Sequence, residues 1–175
     1  MTSMACTNEG STSTVRVLVV EDYEPFRRVI CSALGKNTNL QVISEVSDGL
    51  EAVQKAEVLH PDLILLDVGL PSLNGIEAAR RIRKLSPESK ILFVSQECSA
   101  DVVQEALAVG AQGYVVKAHI GSELLAASGA VCRGRRFVSA ELAGHVAAEL
   151  ADRQVQVPRD LHPDEVLGLP PVVGD

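Results

Sequence analysis

Five polar residues stand directly after apolar runs and are of types that can bind a phosphoryl group together. They are Glu21, Asp22, Asp67, Ser95 and Lys117. Carboxylates that converge on one place raise one another's pKa unless a cation joins them. Three of them form a hard oxygen site of the kind that Mg²⁺ accepts while it keeps several waters. A lysine and a short hydroxyl beside such an ion are suited to an anionic group.

Asp67 is the predicted attachment point for phosphate. The sequence contains no Walker-type GxxxxGK[ST] loop to hold a nucleotide, so a phosphoryl group is better placed on a carboxylate nucleophile. These acids also have simpler interpretations. A single Asp after a strand is commonly a turn or cap residue, and Glu21 with Asp22 would suit the first turn of a helix. The position of all five polar residues at the ends of apolar runs favours a shared site.

The elements that must position these residues follow from periodicity. Short apolar, β-branched runs predict five strands, at 15–20, 40–46, 62–67, 90–95 and 113–117. Helical spacing follows each of them, within 21–36, 48–60, 74–86, 99–111 and 121–134. This alternation predicts an α/β fold with an open, doubly wound, five-stranded parallel sheet and helices on both faces. Chemistry in such sheets collects beyond the carboxyl ends of the strands, where the five polar residues stand.

Composition limits the class of protein. The 175 residues are 46% hydrophobic, enough for one sizeable core, and the net charge of −7 argues against a general nucleic-acid surface. No apolar stretch approaches the roughly 18–20 residues of a membrane span. Residues 1–14 are expected to form a short flexible tail and not a secretory signal. The four scattered cysteines indicate neither zinc nor a disulfide framework, and the simplest compartment is the cytoplasm.

Five motifs occur together in a telling order: "VLVVED", "LILLDVGLP", "LNGIEAARRIRK", "ILFVS" and "GAQGYVVK". Through these motifs, residues 15–135 resemble the CheY-like receiver domain of two-component response regulators. The sequences of the motifs are most similar to those of the NarL/FixJ-like subgroup. The resemblance implies that Asp67 accepts phosphate from a sensor histidine kinase. It also implies that Glu21, Asp22, Asp67 and the backbone carbonyl of Gly69 hold Mg²⁺.

The resemblance also assigns a switch. Ser95 would be the hydroxyl that moves toward the phosphoryl group, Lys117 would pair with that group, and Tyr114 would be the aromatic residue that moves inward. The face formed by the fourth helix, fifth strand and fifth helix would then signal to a protein partner or form a homodimer. One position departs from the pattern, because many receivers have a cis proline after the lysine and this chain has Ala118. Either a strained cis peptide or a different loop is expected there.

Residues 136–175 form a C-terminal extension outside the resemblance. Residues 139–153 are helix-prone, with a narrow apolar stripe of Leu142, Val146 and Leu150, and the rest is rich in proline. About forty residues are too few for a linker plus a helix-turn-helix output domain. We therefore expect a receiver without a DNA-binding output domain, which acts through protein contacts and does not bind DNA directly.

Two other functions are compatible with parts of this pattern. One is a receiver-like scaffold that works without phosphorylation, although the intact set of five polar residues speaks against it. The other is a phosphatase of the haloacid-dehalogenase kind, which also uses an Asp after a strand and Mg²⁺. That chemistry normally needs a second Asp two residues later, where this chain has Gly69. The sequence therefore favours a phosphorylatable switch over an enzyme.

Overall fold

The computed structural model describes residues 13–144 and 146. The strands are β1 (Val15–Val20), β2 (Leu40–Val46), β3 (Leu63–Leu66), β4 (Lys90–Ser95), β5 (Gly113–Val116) and β6 (Phe137–Val138). The helices are α1 (Glu24–Leu34), α2 (Gly49–Leu59), α3 (Gly75–Leu85), α4 (Ala100–Ala108) and α5 (Ile120–Cys132), with a 3₁₀ turn at Lys117–His119. Residues 140–144 and 146 are also helical. In the described part of the chain, no helix has the length and apolar character that crossing a membrane requires.

The sheet is parallel throughout, with the strand order β2-β1-β3-β4-β5-β6. Alternate residues of each central strand face opposite sides, as the pleat requires. On one side they pack against α1 and α5, and on the other against α2, α3 and α4. All four residues of β3 are buried, as expected for a central strand covered on both faces. The predicted doubly wound α/β fold is confirmed.

Local signals in the sequence explain where the helices begin. The Asp48 side chain accepts hydrogen bonds from the backbone N–H groups of Leu50 and Glu51 at the start of α2. Asn74 does the same for Glu77 in α3. Both satisfy donors that a helix N-terminus otherwise leaves unpaired. Pro25 lies in the first turn of α1, where its missing N–H costs nothing.

The predicted count of five strands is one short. The sixth strand, β6, follows the turn at Gly134 and pairs in parallel with β5, so that Gly113 lies opposite Phe137 and Tyr114 opposite Val138. A strand of two residues is too short to show an alternating pattern, and this is why periodicity missed it. The sheet therefore extends three residues past the predicted receiver boundary at 135.

The segment after β6 packs onto the core. Leu142 and Val146 are 4% and 6% exposed, and they join the cluster that contains Val103 of α4 and Tyr114 of β5. These two positions of the predicted apolar stripe therefore lie where the stripe requires. Leu150, the proline-rich end and residues 1–12 lie outside the described residues.

Candidate functional site

All five polar residues singled out above line one crevice at the carboxyl edge of the sheet. It has a volume of about 470 Å³, and its other walls include Tyr23, Phe26, Val68, Gly69, Gln96 and Glu97. Residues far apart in the sequence meet here because parallel strands all end at the same edge. Lys117 and Asp67, for example, are 50 positions apart and share a hydrogen bond. The structure therefore brings all five residues together at one place, and the role of each stays a prediction.

Three carboxylates converge in the crevice. Glu21, Asp22 and Asp67 can each place an oxygen within 4.8 Å of the other two. Glu21 is fully buried and Asp67 nearly so, whereas Asp22 is exposed. Burial raises the pKa of Glu21, and the nearby Lys117 ammonium only partly opposes this effect. A nearby cation therefore favours the ionised form of Glu21.

Lys117 supplies one such cation. Its Nζ lies 2.6 Å from Glu21 Oε2 and donates a hydrogen bond of 2.9 Å to Asp67 Oδ2. The same ammonium sits 4.7 Å from the centre of the Phe26 ring. Burial works against the charged lysine, but the close contacts with the Glu21 and Asp67 carboxylates outweigh it and raise the pKa of Lys117. The lysine is therefore a fixed positive charge beside Asp67.

The donor set also fits a divalent cation. Glu21 Oε2 is buried and, despite the nearby ammonium, has no partner of hydrogen-bond geometry among the described residues. That leaves a carboxylate oxygen available beside the exposed Asp22, in an opening where water can complete a coordination shell. Hard oxygen donors with retained waters are what Mg²⁺ prefers. Gly69 lies at the rim, and its N–H is 3.4 Å from Asp67 Oδ1.

Comparison with known proteins identifies the family of this chain. The family model for the response regulator receiver domain matches residues 17–128, more than half of the chain. The chain belongs to the response regulator receiver family. It is therefore a signalling domain of the two-component type and not a conventional enzyme.

Curated relatives agree with this assignment. The response regulator GacA of Pseudomonas viridiflava is 34% identical over 142 residues, which are 81% of this chain and 66% of that protein. The DNA-binding transcriptional activator DevR/DosR of Mycobacterium tuberculosis is 35% identical over 136 residues, 78% of this chain and 63% of that protein. The chain thus spans slightly less than two thirds of the length of these relatives.

Two solved structures agree with this assignment as well. A two-component response regulator of the LuxR family from Aurantimonas sp. SI85-9A1 is 31% identical, with a TM-score of 0.75, covering 79% of this chain and 99% of that one. The receiver domain of the putative regulator NarL from Mycobacterium tuberculosis is 29% identical, with a TM-score of 0.67, covering 70% and 99%. The predicted closeness to the NarL/FixJ-like subgroup and the CheY-like fold are both confirmed.

The receiver's two proposed switch residues, Ser95 and Tyr114, are buried next to each other. Ser95 Oγ accepts a hydrogen bond of 3.2 Å from the Glu97 N–H, and the Tyr114 hydroxyl donates one of 2.6 Å to the Glu97 carbonyl. The Tyr114 ring stacks on Phe93, with centroids 5.9 Å apart. Tyr114 is fully buried. Its inward movement on phosphorylation stays a prediction.

The loop after Lys117 answers the question that Ala118 raised. No peptide bond in the described residues is cis. Lys117, Ala118 and His119 instead form a 3₁₀ turn that runs directly into α5. Of the two expectations, the different loop is correct.

Sequence reasoning missed two contributors to the site. Helical spacing places Phe26 on the apolar face of α1, and its position in the first turn after the acidic pair is the one signal that points to the crevice. Gly75 begins α3 close behind Asp67: a Cβ atom there would lie 1.9 Å from the Asp67 carbonyl oxygen. Its N–H also donates to the Val68 carbonyl at 2.8 Å. At Gly69, by contrast, an added Cβ would meet nothing within 4 Å.

This contrast predicts opposite outcomes for two glycine substitutions. Gly75→Ala should lower the free energy of unfolding by about 1–3 kcal/mol, because the methyl group collides with backbone that holds Asp67. Gly69→Ala should change the free energy of unfolding by less than about 0.5 kcal/mol, because the added methyl group meets nothing within 4 Å. Urea unfolding of both variants beside the wild type measures this difference. Equal stabilities of the two variants would contradict the packing described.

Burial of Tyr114 predicts a pH dependence of stability. Burial raises its pKa from 10.0 to about 12, with the neighbouring Ser95 hydroxyl opposing the change and the Glu97 charge adding to it. The unfolded chain loses the phenol proton at lower pH than the folded chain. Tyr114 therefore stabilises the fold fully below pH 10, and this contribution disappears as the pH rises toward 12.

The measurement is urea unfolding at several pH values from 8 upward, on the wild type and on Tyr114→Phe. Lysines and cysteines titrate in both proteins, so only the difference in slope reports the phenol. The wild type should lose more stability than Tyr114→Phe above pH 10. Parallel curves would show that the phenol is not protected from solvent.

Proposed function

We propose that this receiver accepts a phosphoryl group on Asp67 from a sensor histidine kinase and signals through protein contacts. The observation that carries the proposal is the Lys117 ammonium, held between Glu21 and Asp67 in the acidic crevice. Carboxylates beside a fixed cation can receive a phosphoryl group that carries negative charge of its own. Glu21, Asp22, Asp67 and the Gly69 carbonyl would hold Mg²⁺, which supplies positive charge to the phosphoryl oxygens. The cytoplasm is the proposed location, where such a kinase presents its phosphohistidine.

The residues of the crevice divide the chemistry among them. An oxygen of Asp67 forms the new bond to phosphorus as the bond to the donor histidine nitrogen breaks, and the nitrogen keeps the electron pair. Lys117 is close enough to shift from the Asp67 carboxylate to a phosphoryl oxygen. The Ser95 hydroxyl, now an acceptor from Glu97, can rotate to donate to another oxygen.

The two alternative functions find less support. A haloacid-dehalogenase-like phosphatase needs a proton donor two residues after the nucleophile, and Gly69 has no side chain to provide it. A phosphorylation-independent scaffold would have no use for a buried, ion-paired Asp67. Self-phosphorylation from small donors and self-dephosphorylation are the only catalysis that we propose.

The response leaves the site through β5 and the segment after β6. The Ser139 N–H donates to the Tyr114 carbonyl, and Ser139 Oγ accepts from the Val116 N–H, each at 2.9 Å. The Ser139 hydroxyl in turn donates to the Glu123 carboxylate on α5. Ser139 is thus bonded to two residues of β5, and the second of them, Val116, immediately precedes Lys117. A lysine that moves toward a phosphoryl group would disturb these bonds.

The helical residues 140–144 and 146, which we call the cover, pack beside the proposed signalling face of α4, β5 and α5. Leu142 and Val146 belong to the same apolar cluster as Val103 of α4 and Tyr114 of β5, and His119 pairs with Glu141 at 2.9 Å. We propose that a protein partner, or a second copy in a homodimer, contacts α4, α5 and this cover together. The net charge of −7 supports our proposal that the chain does not bind DNA directly, and specific retardation of DNA in a gel shift would refute it.

The phosphoacceptor proposal predicts a mass increase of one phosphoryl group when the protein is incubated with acetyl phosphate and Mg²⁺. Asp67→Asn should abolish it, because an amide is not a nucleophile for this transfer. Asp62→Asn, which alters an acid at the opposite end of β3, is the matched control and should be modified normally. Intact-mass spectrometry reads all three proteins. Modification of Asp67→Asn to the wild-type extent would refute the assignment.

The proposed route of the signal predicts faster amide hydrogen exchange in residues 137–144 when beryllofluoride and Mg²⁺ occupy the site. The reason is that Lys117 draws the 3₁₀ turn away from the bonds that Ser139 makes. Asp67→Asn should show no such change, and β2, on the far edge of the sheet, should be unaffected in either protein. Ser139→Ala should raise exchange in this segment without any ligand. Unchanged exchange in a wild-type protein that binds beryllofluoride would refute the route but not the phosphorylation.

A further inference from the structure

The Lys117 side chain is held by three groups, and only two of them are charged. Glu21 and Asp67 approach its Nζ at 2.6 and 2.9 Å, and the Phe26 ring lies 4.7 Å away. The lysine side chain is only 10% exposed. A cation this close to an aromatic face is attracted by the ring's quadrupole, and the attraction is stronger where water is excluded.

Phe26 is well placed to act as a fixed wall. It lies in the first turn of α1, where Pro25 restricts the backbone, and it packs against the core cluster between α1, α5 and the sheet. Arg27 ties the same turn to the acidic pair, since its guanidinium donates to the Glu21 carbonyl at 2.7 Å. The ring, the glutamate and the lysine are therefore positioned by one local piece of structure.

We propose that Phe26 is a positioning residue for phosphorylation: its ring keeps the Lys117 ammonium in the crevice, directed at the position that a phosphoryl group on Asp67 occupies. A lysine side chain has four rotatable bonds and a strongly hydrated head, so its natural tendency is to turn toward water. The two carboxylates alone do not prevent this, because the exposed Asp22 offers the ammonium an alternative partner nearer to solvent. The ring lines the same crevice and attracts the ammonium, which favours the inward position of the lysine.

The inference rests on the proposed phosphorylation of Asp67 and extends it to a residue without polar atoms in its side chain. It differs from simple packing in what it requires at position 26. Packing needs an apolar volume, which leucine supplies, whereas the cation contact needs an aromatic face. Tyrosine and tryptophan retain that face, and leucine does not.

The test compares the wild type with Phe26→Leu, Phe26→Tyr and Phe26→Trp. The measured quantity is the rate of phosphorylation by acetyl phosphate at saturating Mg²⁺, followed by intact mass. Phe26→Leu should be slower by roughly three- to tenfold, in keeping with a partly desolvated cation–aromatic contact. Phe26→Tyr should remain within about twofold of the wild type, and Phe26→Trp should do so wherever its larger ring is accommodated. Val29→Ala, at a half-exposed position on the same helix, is the matched control and should leave the rate unchanged.

A double-mutant cycle with Lys117→Gln separates positioning from general damage. If the ring acts through the lysine, adding Phe26→Leu to Lys117→Gln should slow the reaction no further. A Phe26→Leu protein as fast as the wild type, or a Phe26→Tyr protein as slow as Phe26→Leu, would overturn the inference, and so would an equal slowing in both backgrounds. These failures differ from failure of the proposed function, in which the wild type itself would gain no phosphoryl mass.

Discussion

The rest of this structure depends on one ammonium group that lies between two buried carboxylates. The carboxylates of Glu21 and Asp67 repel each other, and burial of both makes a nearby partner of opposite charge necessary for a stable site. Lys117 supplies the charge at 2.6 and 2.9 Å. The sheet makes this possible: β1, β3 and β5 run parallel, so the residues that follow them arrive at one edge although they are widely separated in the chain. The helices on both faces then keep water away from the strands and leave only the edge open.

The fold and most of the site could be predicted because both follow from short-range patterns. Apolar runs alternating with helical periods define a parallel sheet, and a parallel sheet delivers the residues after each strand to a common crevice. Asp67 and Lys117 could therefore be paired without any structure. The helix limits were predicted to within about three residues, and Asp48 and Asn74 show why: a cap is a local hydrogen bond that the sequence encodes directly.

What could not be predicted depends on three-dimensional approach. The period of α1 assigns Phe26 to an apolar face but does not say that its ring reaches the lysine. Gly75 reads as an ordinary helix start, and only the path of the loop after β3 reveals that a side chain there would strike the Asp67 carbonyl. The Tyr114 hydroxyl donates to the Glu97 carbonyl, which belongs to the loop after a different strand. β6 is too short to carry a period of its own, and it exists because β5 offers an open edge.

The short sixth strand leads into the segment that our proposed signal route reaches. A two-residue strand contributes little pairing energy, so the segment that follows depends on Ser139, Glu123 and the apolar contacts of Leu142 for its place. Segments held by few bonds open at lower free energy than the core, and a small change in their supports shifts their population strongly. Ser139 donates to the Tyr114 carbonyl and accepts from the Val116 N–H. Val116 immediately precedes Lys117. The same strand end thus leads to Lys117, the charge that meets the phosphoryl group in our proposal, and carries the hydrogen bonds that secure the C-terminal segment. In that proposal a rearrangement of one disturbs the other.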